Sequence, residues 1–470
     1  MSAVGVVALA DFGSTYTKVA LVDAEEGALL ARAEAPTSIG SDLMDGHAAA
    51  LAAARASLEG VGIEHRLAVS SAGGGLRVAA VGLVEDLTAA AARQAALNAG
   101  ARVDTVVAGV LTDDQLDALQ AARPEIVLFA GGTDGGQAEL VLENAGRLAS
   151  RRIGENVVVA CNAEVAGRAA ELLRAGGTVV EVAANVMPEL GRLEIESARE
   201  AILRLFLEHV IGGKGLSADH EFEQMVKMPT PEAVLEATRL LSRGTPAQPG
   251  VGDLLVVDIG GATTDVHSDR AVEAASPGIE DPLLPPPATL RTVEGDLGLR
   301  AGAAGVLAAD RRWIEAEQGG DATSIRQAVS VRSEDPGWVP QEEREARLDG
   351  VLAAACATQA LTRHCGTMLL TRGEGGPPTL RRNGPDLREV GLVLGTGGVF
   401  AHREDGAEIL RRALARQPQR SLTPRDPELR IDARYVLAAA GLLSTLDPEA
   451  AMRLLRRELS LFQLDKGTSK

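Results

Sequence analysis

Apolar and polar positions divide this chain into short strands and amphipathic helices. Val4–Ala10 is apolar, a glycine turn follows, and Thr17–Val22 is apolar again, which predicts a β-hairpin at the start. Arg66–Ser70, Thr105–Val110, Ile126–Phe129 and Val157–Ala160 read as further buried strands. Helical periodicity over Gly46–Leu58, Leu87–Asn98, Asp113–Ala122, Gln137–Ser150 and Ala163–Ala175 separates them. Strands alternating with helices predict an α/β fold, a mostly parallel sheet with helices on both faces. Further on, Ile195–Ile211 predicts a long helix with Ile202, Leu205, Phe206 and Val210 on one stripe, and Pro231–Ser242 predicts another. Leu254–Asp258 reads as a buried strand. Pro277–Pro287 carries five prolines and reads as an irregular loop, and Gln318–Gln341 is polar with few core positions. Val390–Leu394 is the last strong strand; helices are expected at Glu404–Ala415, at Arg434–Leu446 and near the end, before a polar tail.

One pattern recurs about half a chain apart. Ala8–Lys18 and Val256–Val266 both read as a strand, an Asp, a glycine turn with hydroxyls and a second strand. That spacing fits a duplicated protein of two lobes, 1–250 and 251–470. Length agrees, since 470 residues exceed one ordinary core. Only 2% of residues are aromatic, so Ala, Val, Leu and Gly must fill the core. The net charge of -18, without a basic stripe or aromatic platform, argues against nucleic acid. Cys161, Cys356 and Cys365 give no disulfide framework. The start lacks the signature of a signal peptide and no uncharged apolar stretch is long enough to span a bilayer, so a cytoplasmic, membrane-free protein is expected.

Three segments carry candidate chemistry. In Asp11–Lys18 a glycine turn lets backbone N–H groups face a phosphate, with Gly13 for close approach and Ser14, Thr15 and Thr17 adding hydroxyls. Asp11 can hold a hydrated Mg²⁺, while Lys18 faces outward or neutralises charge at the rim. The alternative is a plain hairpin. Asp258–Asp265 repeats the logic, with Asp258 toward Mg²⁺ or a water, Gly260 and Gly261 for backbone approach, and Thr263 and Thr264 toward phosphate. In Gly391–Gly398 a strand runs into Gly395, Thr396, Gly397 and Gly398 before a helix, where backbone can approach a base and sugar. Phe129–Gly136 is either a demanding turn or an approach to the γ-phosphate, with Asp134 orienting water. Thr230 and Glu232 open a helix, as a cap or as water-positioning groups, and Glu294–Asp296 is a lobe contact or a turn. His209, His220 and His364 show no ligand spacing.

The order of the three segments resembles the superfamily of actin, heat-shock ATPases and sugar kinases: phosphate hairpin, connecting helix, second phosphate hairpin, adenosine motif, second connecting helix. Pro231–Ser242 and Ala438–Leu443 match the connecting helices. Within that superfamily the chain most resembles the glutamate mutase-associated accessory proteins called MutL, which are unrelated to mismatch repair. The matching pieces are Ala10–Lys18, Ser71–Leu76, Phe129–Gly136, Ala184–Pro188, Asp258–Asp265 and Glu294–Gly298. The resemblance implies a two-lobe actin-like ATPase, of duplicated ribonuclease H-like design, with ATP and Mg²⁺ in the cleft between lobes. It implies a chaperone or reactivating role toward an adenosylcobalamin-dependent mutase, with Asp11 and Asp258 as metal-binding and catalytic residues, and homo-oligomers are compatible with it. A small-molecule kinase and an actin-like filament former share the fold. A kinase needs a second pocket and a carboxylate base, for which Asp134 or Asp258 is available. Iron–sulfur activator ATPases need cysteine ligands that Cys161, Cys356 and Cys365 do not offer.

Overall fold

The computed structural model describes residues 5–38, 41–56, 58, 60–211, 216–217, 220–271, 279–319, 321–335, 337–372 and 378–461. Val4, Pro277, Gly278 and the polar tail lie outside them.

The sequence repeat becomes a repeat of whole sheets. In the first, β1 (Val6–Phe12), β2 (Tyr16–Asp23) and β3 (Ala28–Pro36) form an antiparallel meander, and β4 (Ile63–Ser70) lies parallel to β1. Well after the elements β5 to β9 comes β10 (Val226–Pro229), parallel to β4, giving the order β10-β4-β1-β2-β3. In the second sheet, β11 (Leu254–Ile259), β12 (Thr264–Asp269) and β14 (Thr289–Glu294) form the meander, followed by parallel β17 (Leu392–Thr396) and β18 (Glu428–Ile431). Its order, β18-β17-β11-β12-β14, is the same. Each sheet is followed by a helix, Thr230–Arg243 after β10 and Val436–Leu443 after β18. This is the duplicated actin-like fold.

The strands expected to form one parallel sheet divide between two. β4 joins the first meander, whereas β5 (Arg77–Gly82), β6 (Arg102–Ala108), β7 (Ile126–Phe129), β8 (Asn156–Val159) and β9 (Val179–Val182) form a separate all-parallel sheet in the order β6-β5-β7-β8-β9. This sheet is inserted between β4 and β10. It carries its own core, in which Phe129, Leu148, Val157 and Leu173 are fully buried. A smaller sheet, β13 (Ile279–Glu280) with β16 (Pro378–Asn383) and β15 (Thr367–Arg372), branches from the second half. The segment expected to be polar and poor in core residues contains a helix, Ala322–Glu334, that buries Ile325, Val329 and Arg332. Its apolar positions are too few to read as a stripe because a buried arginine occupies one of them.

Among the contacts that join the halves, two matter most for the site. The helices Thr230–Arg243 and Val436–Leu443 cross where Gly441 meets Ala233: a Cβ on Gly441 would lie 1.8 Å from the Ala233 carbonyl oxygen. Around them Val234, Leu241, Leu437, Leu442 and Leu455 share one core with β1 and β11. The second contact is polar. Arg291 of β14 is buried and donates from Nη1 to the Leu97 and Ala101 carbonyls, 2.8 and 2.7 Å, at the end of the helix Ala90–Asn98. Asn98 answers, with Nδ2 donating to the Thr289 carbonyl at 2.9 Å and Oδ1 accepting the Arg291 N–H at 3.1 Å.

The crossing leaves no room for a methyl group, so Gly441→Ala should destabilise the protein by about 1–3 kcal/mol, read as a lowered calorimetric midpoint. An unchanged midpoint would mean that the helices separate freely. Arg291→Met strands the Asp265 carboxylate and two carbonyls, and should cost about 3–5 kcal/mol in urea unfolding. A loss below about 1 kcal/mol would show that this pair does not hold the halves together.

Candidate functional site

The two hairpins superpose residue for residue in their pairing. Asp11 pairs with Lys18 and Phe12 with Thr17; Asp258 pairs with Asp265 and Ile259 with Thr264. In each turn a glycine N–H bonds the carbonyl three residues on: Gly13 to Tyr16 at 3.2 Å, Gly260 to Thr263 at 2.9 Å. Both turns open onto a cleft of about 850 Å³, which Asp11, Gly13, Ser14, Thr15, Asp258, Gly260, Gly261 and Thr263 help to line. That volume lies in the range of about 300–1,000 Å³ usual for small-molecule sites.

Not every hydroxyl reaches it. Thr17 and Thr264 are fully buried; the Thr17 hydroxyl meets that of Thr37 at 3.2 Å, and the Thr264 hydroxyl donates to the Leu297 carbonyl at 2.7 Å. Their assignment to phosphate is corrected. Side chains alternate across a strand, so where Tyr16 and Lys18 face the cleft, Thr17 must face the core. Gly395 also turns inward, its missing Cβ making room for the Phe400 ring. Asp134 lies in the turn that follows β7 of the inserted sheet and is absent from the cleft lining. Its Oδ1 accepts from the Ala163 N–H at 2.9 Å and Asn185 Nδ2 at 2.8 Å, and Asn185 also donates to the Gly132 carbonyl at 3.0 Å. The segments Phe129–Gly136 and Ala184–Pro188 therefore fasten one another. Thr396 reaches the cleft but gives its hydroxyl to Asp432 at 3.1 Å. Gly397 lies at φ 108°, where a Cβ would come within 2.2 Å of the Ile259 carbonyl, and Gly398 faces the Tyr435 hydroxyl. Glycine at 397 is a demand of the sheet before it is one of a ligand.

Lys18 points into the cleft, contrary to the rim position expected. Its ammonium lies 3.4 Å from Asp11 Oδ2 and 4.3 Å above the Tyr435 ring. Burial opposes its charge, but Asp11, Tyr435 and Asp258 outweigh burial and raise it above the ordinary lysine value. Asp11 Oδ1 accepts from the Thr230 hydroxyl at 2.7 Å, so Thr230 positions Asp11 as well as opening its helix. Glu232 is fully buried and ion-paired with Arg199, and Glu294 pairs with Arg363. Asp432, which caps the helix Val436–Leu443 through the N–H groups of Val436 and Leu437, and Tyr435 complete this wall. Sequence reading missed Tyr435 because it acts from the second half on Lys18 of the first, and Asp432 because its partner Thr396 lies 36 residues away. His364 is buried between the Thr292 and Ser268 hydroxyls, 2.9 Å each, and the three cysteines are buried and unpaired.

The equivalent position to Lys18 is Asp265, and this reverses the electrostatics of the second hairpin. Asp258 sits deep in the cleft while keeping some access to water. Burial, then Asp265, with Asp11 and Asp432 adding and Lys18 opposing, pushes its carboxyl up to about 7. Carboxyls gathered around one cleft favour a cation. Among the described residues no cluster of three or more acidic, His or Cys side chains forms a closed metal site. Mg²⁺ takes one or two carboxylates and fills its shell with water and phosphate oxygens; Asp11 and Asp258 are the residues that could hold it.

A raised carboxyl pKa stabilises the fold below the unfolded value near 4 and loses that contribution as pH rises through about 7. Without ligand, the stability of the wild type relative to Asp258→Asn should therefore fall by on the order of 1 kcal/mol or more between pH 5 and pH 8. A flat difference across that range would place Asp258 in an ordinary solvated environment.

Residues 7–459 match the family described as MutL protein. The chain is 40% identical over 455 residues to Protein MutL of Clostridium tetanomorphum, covering 96% of this chain and 98% of that one. Among solved structures, a nucleotide-free acetone carboxylase is 14% identical with a TM-score of 0.40, covering 93% of this chain and 70% of that one. A ROK family glucokinase from Streptomyces griseus, solved with glucose and AMPPNP, is 12% identical with a TM-score of 0.33, covering 96% and 100%. Both structures are distant likenesses. With residues 7–459 matched and a relative 40% identical over 96% of its length, the chain belongs to the MutL protein family.

Proposed function

We propose that the protein is an ATP-binding accessory factor that slowly hydrolyses ATP and reactivates an adenosylcobalamin-dependent mutase of the glutamate mutase type. The observation that carries this reading is the pair of equivalent carboxylates, Asp11 and Asp258, each beside a glycine turn on one cleft. The backbone N–H groups of the turns, with the Ser14, Thr15 and Thr263 hydroxyls, would take phosphate oxygens. A bound Mg²⁺ would neutralise charge on the phosphates. Lys18 holds one oxygen of the Asp11 carboxylate and Thr230 the other.

Work on a client follows from where these groups sit. The first hairpin belongs to one half and the second to the other, so a ligand that engages both favours one setting of the halves. Such a ligand shifts a population in proportion to its differential affinity. A client that senses the setting must change nucleotide affinity by the same factor, typically about 5–150-fold. The choice of a cobalamin mutase as client rests on the family.

Calorimetry with Mg-ATP should show binding that Asp11→Asn and Asp258→Asn each weaken by at least about tenfold, in line with loss of a charged contact. A glutamate mutase-type enzyme blocked with a non-releasable cobalamin should regain activity when this protein, ATP, Mg²⁺ and fresh cofactor are added, and not with Asp258→Asn. Wild-type affinity in both variants would remove the cleft from the reading; tight Mg-ATP binding without recovery or a nucleotide-dependent complex would remove the mutase.

A further inference from the structure

The chain has two tryptophans, and one of them, Trp338, lines the cleft. Its surroundings are built. Arg332 is buried and lies against the indole, its guanidinium carbon 4.3 Å from the ring centroid. Three acceptors pin that arginine: Asp349 Oδ1 at 2.7 Å, the Ala328 carbonyl at 2.8 Å and the Glu345 carbonyl at 3.0 Å. Asp349, itself buried, uses its other oxygen to hold Arg300 Nη2 at 3.1 Å. Arg300 in turn donates from Nε to the Trp338 carbonyl at 2.7 Å. One buried carboxylate thus fixes both the arginine against the ring and the arginine that holds its backbone.

The same arginine joins this structure to the phosphate turn. The Arg300 N–H donates to the Gly261 carbonyl at 2.7 Å, and its side-chain stem packs where a Cβ of Gly261 would point. The indole and the second glycine turn are therefore parts of one rigid piece of the second half. Both line the same cleft, an aromatic ring and a glycine turn, which is the pairing that a nucleotide's base and phosphates require. Ala346 and Arg403 line the cleft near the indole, with Arg403 Nη1 bonded to the Ala346 carbonyl one helical turn from Asp349.

Resting on the nucleotide reading above, we propose that Trp338 is the stacking platform for the base, and that the Gly337–Pro340 loop forms the base end of the cleft. Stacking is tolerant of which base is present, because every base has a π face. The platform accordingly contributes affinity, and a purine, with the larger face, gains more from it than a pyrimidine. In a protein with 2% aromatic residues, this indole is partly exposed on the cleft, with the Arg332 and Arg300 guanidinium carbons 4.3 and 5.5 Å from its centroid and both arginines held by one carboxylate.

Because Trp313 is the second tryptophan, Trp313→Phe leaves Trp338 as the sole indole reporter. In that variant ATP with Mg²⁺ should quench the indole emission saturably, whereas inorganic tripolyphosphate with Mg²⁺, which has no base, should bind without comparable quenching. By calorimetry, Trp338→Ala should weaken ATP roughly 5- to 100-fold, the range of base–aromatic stacking, and leave tripolyphosphate affinity unchanged. Trp338→Phe should recover most of the loss, which guards against a folding defect in the alanine variant. Wild-type ATP affinity in Trp338→Ala overturns the proposal. So does an equal loss for ATP and tripolyphosphate, which would make the indole a mere cover for Arg332. If wild-type protein binds tripolyphosphate and ATP equally, the base is not held and the phosphate site stands alone. If it binds neither, the nucleotide reading itself fails and this proposal with it.

Discussion

Asp265 accepts two bonds from the buried guanidinium of Arg291 through one oxygen and the Thr263 hydroxyl through the other. Three parts of the molecule meet there. Thr263 belongs to a glycine turn of the cleft, Arg291 to the strand β14, and the carbonyls of Leu97 and Ala101 that Arg291 also holds belong to the inserted part of the first half. A charge placed this deep is costly unless every polar hydrogen finds an acceptor. Meeting that demand sets the register of β14, closes the end of the helix Ala90–Asn98 and fixes the anion beside Asp258. The raised carboxyl of Asp258 owes most to its own burial and then to the anion fixed beside it.

The hairpins were legible because their ingredients are local. Apolar runs, an Asp at a strand end and a glycine turn sit within a dozen residues, and strand alternation was available to sort the hydroxyls. Applied strictly, it would have withdrawn Thr17 and Thr264 in favour of Tyr16 and Thr263. The inserted sheet was not legible as a separate body, because its strands are short apolar runs like the end of β4, its inner strand β5 was not read as a strand, and only tertiary pairing tells that the sheets part at Ser71–Leu76. Trp338 was hidden for a related reason. It lies within Gln318–Gln341, which reads as polar with few core positions, and the groups around it, Arg300, Arg332 and Asp349, come from three separate segments.

Placement also changes what the family resemblance means. Phe129–Gly136 and Ala184–Pro188 are quoted among its features, yet in this fold they bond each other on the inserted sheet, through Asp134, Asn185 and Gly132, and stay clear of the cleft lining. They mark the architecture of the insertion. The cleft is lined instead by the hairpins, the small residues after β17 and the first residues of the helix Thr230–Arg243.

Lys18 and Asp265 occupy equivalent places in a duplicated framework, and their opposite signs have an evolutionary consequence. A gene fusion of identical halves starts from a cleft with matching walls, and either half could in principle be traded for the other. With a lysine on one wall and an aspartate on the other, that exchange is closed. Two first halves would bring paired ammonium groups together, and two second halves would crowd Asp258 and Asp265 with their copies. The halves have become complementary, and from that point the lineage is committed to a single long chain.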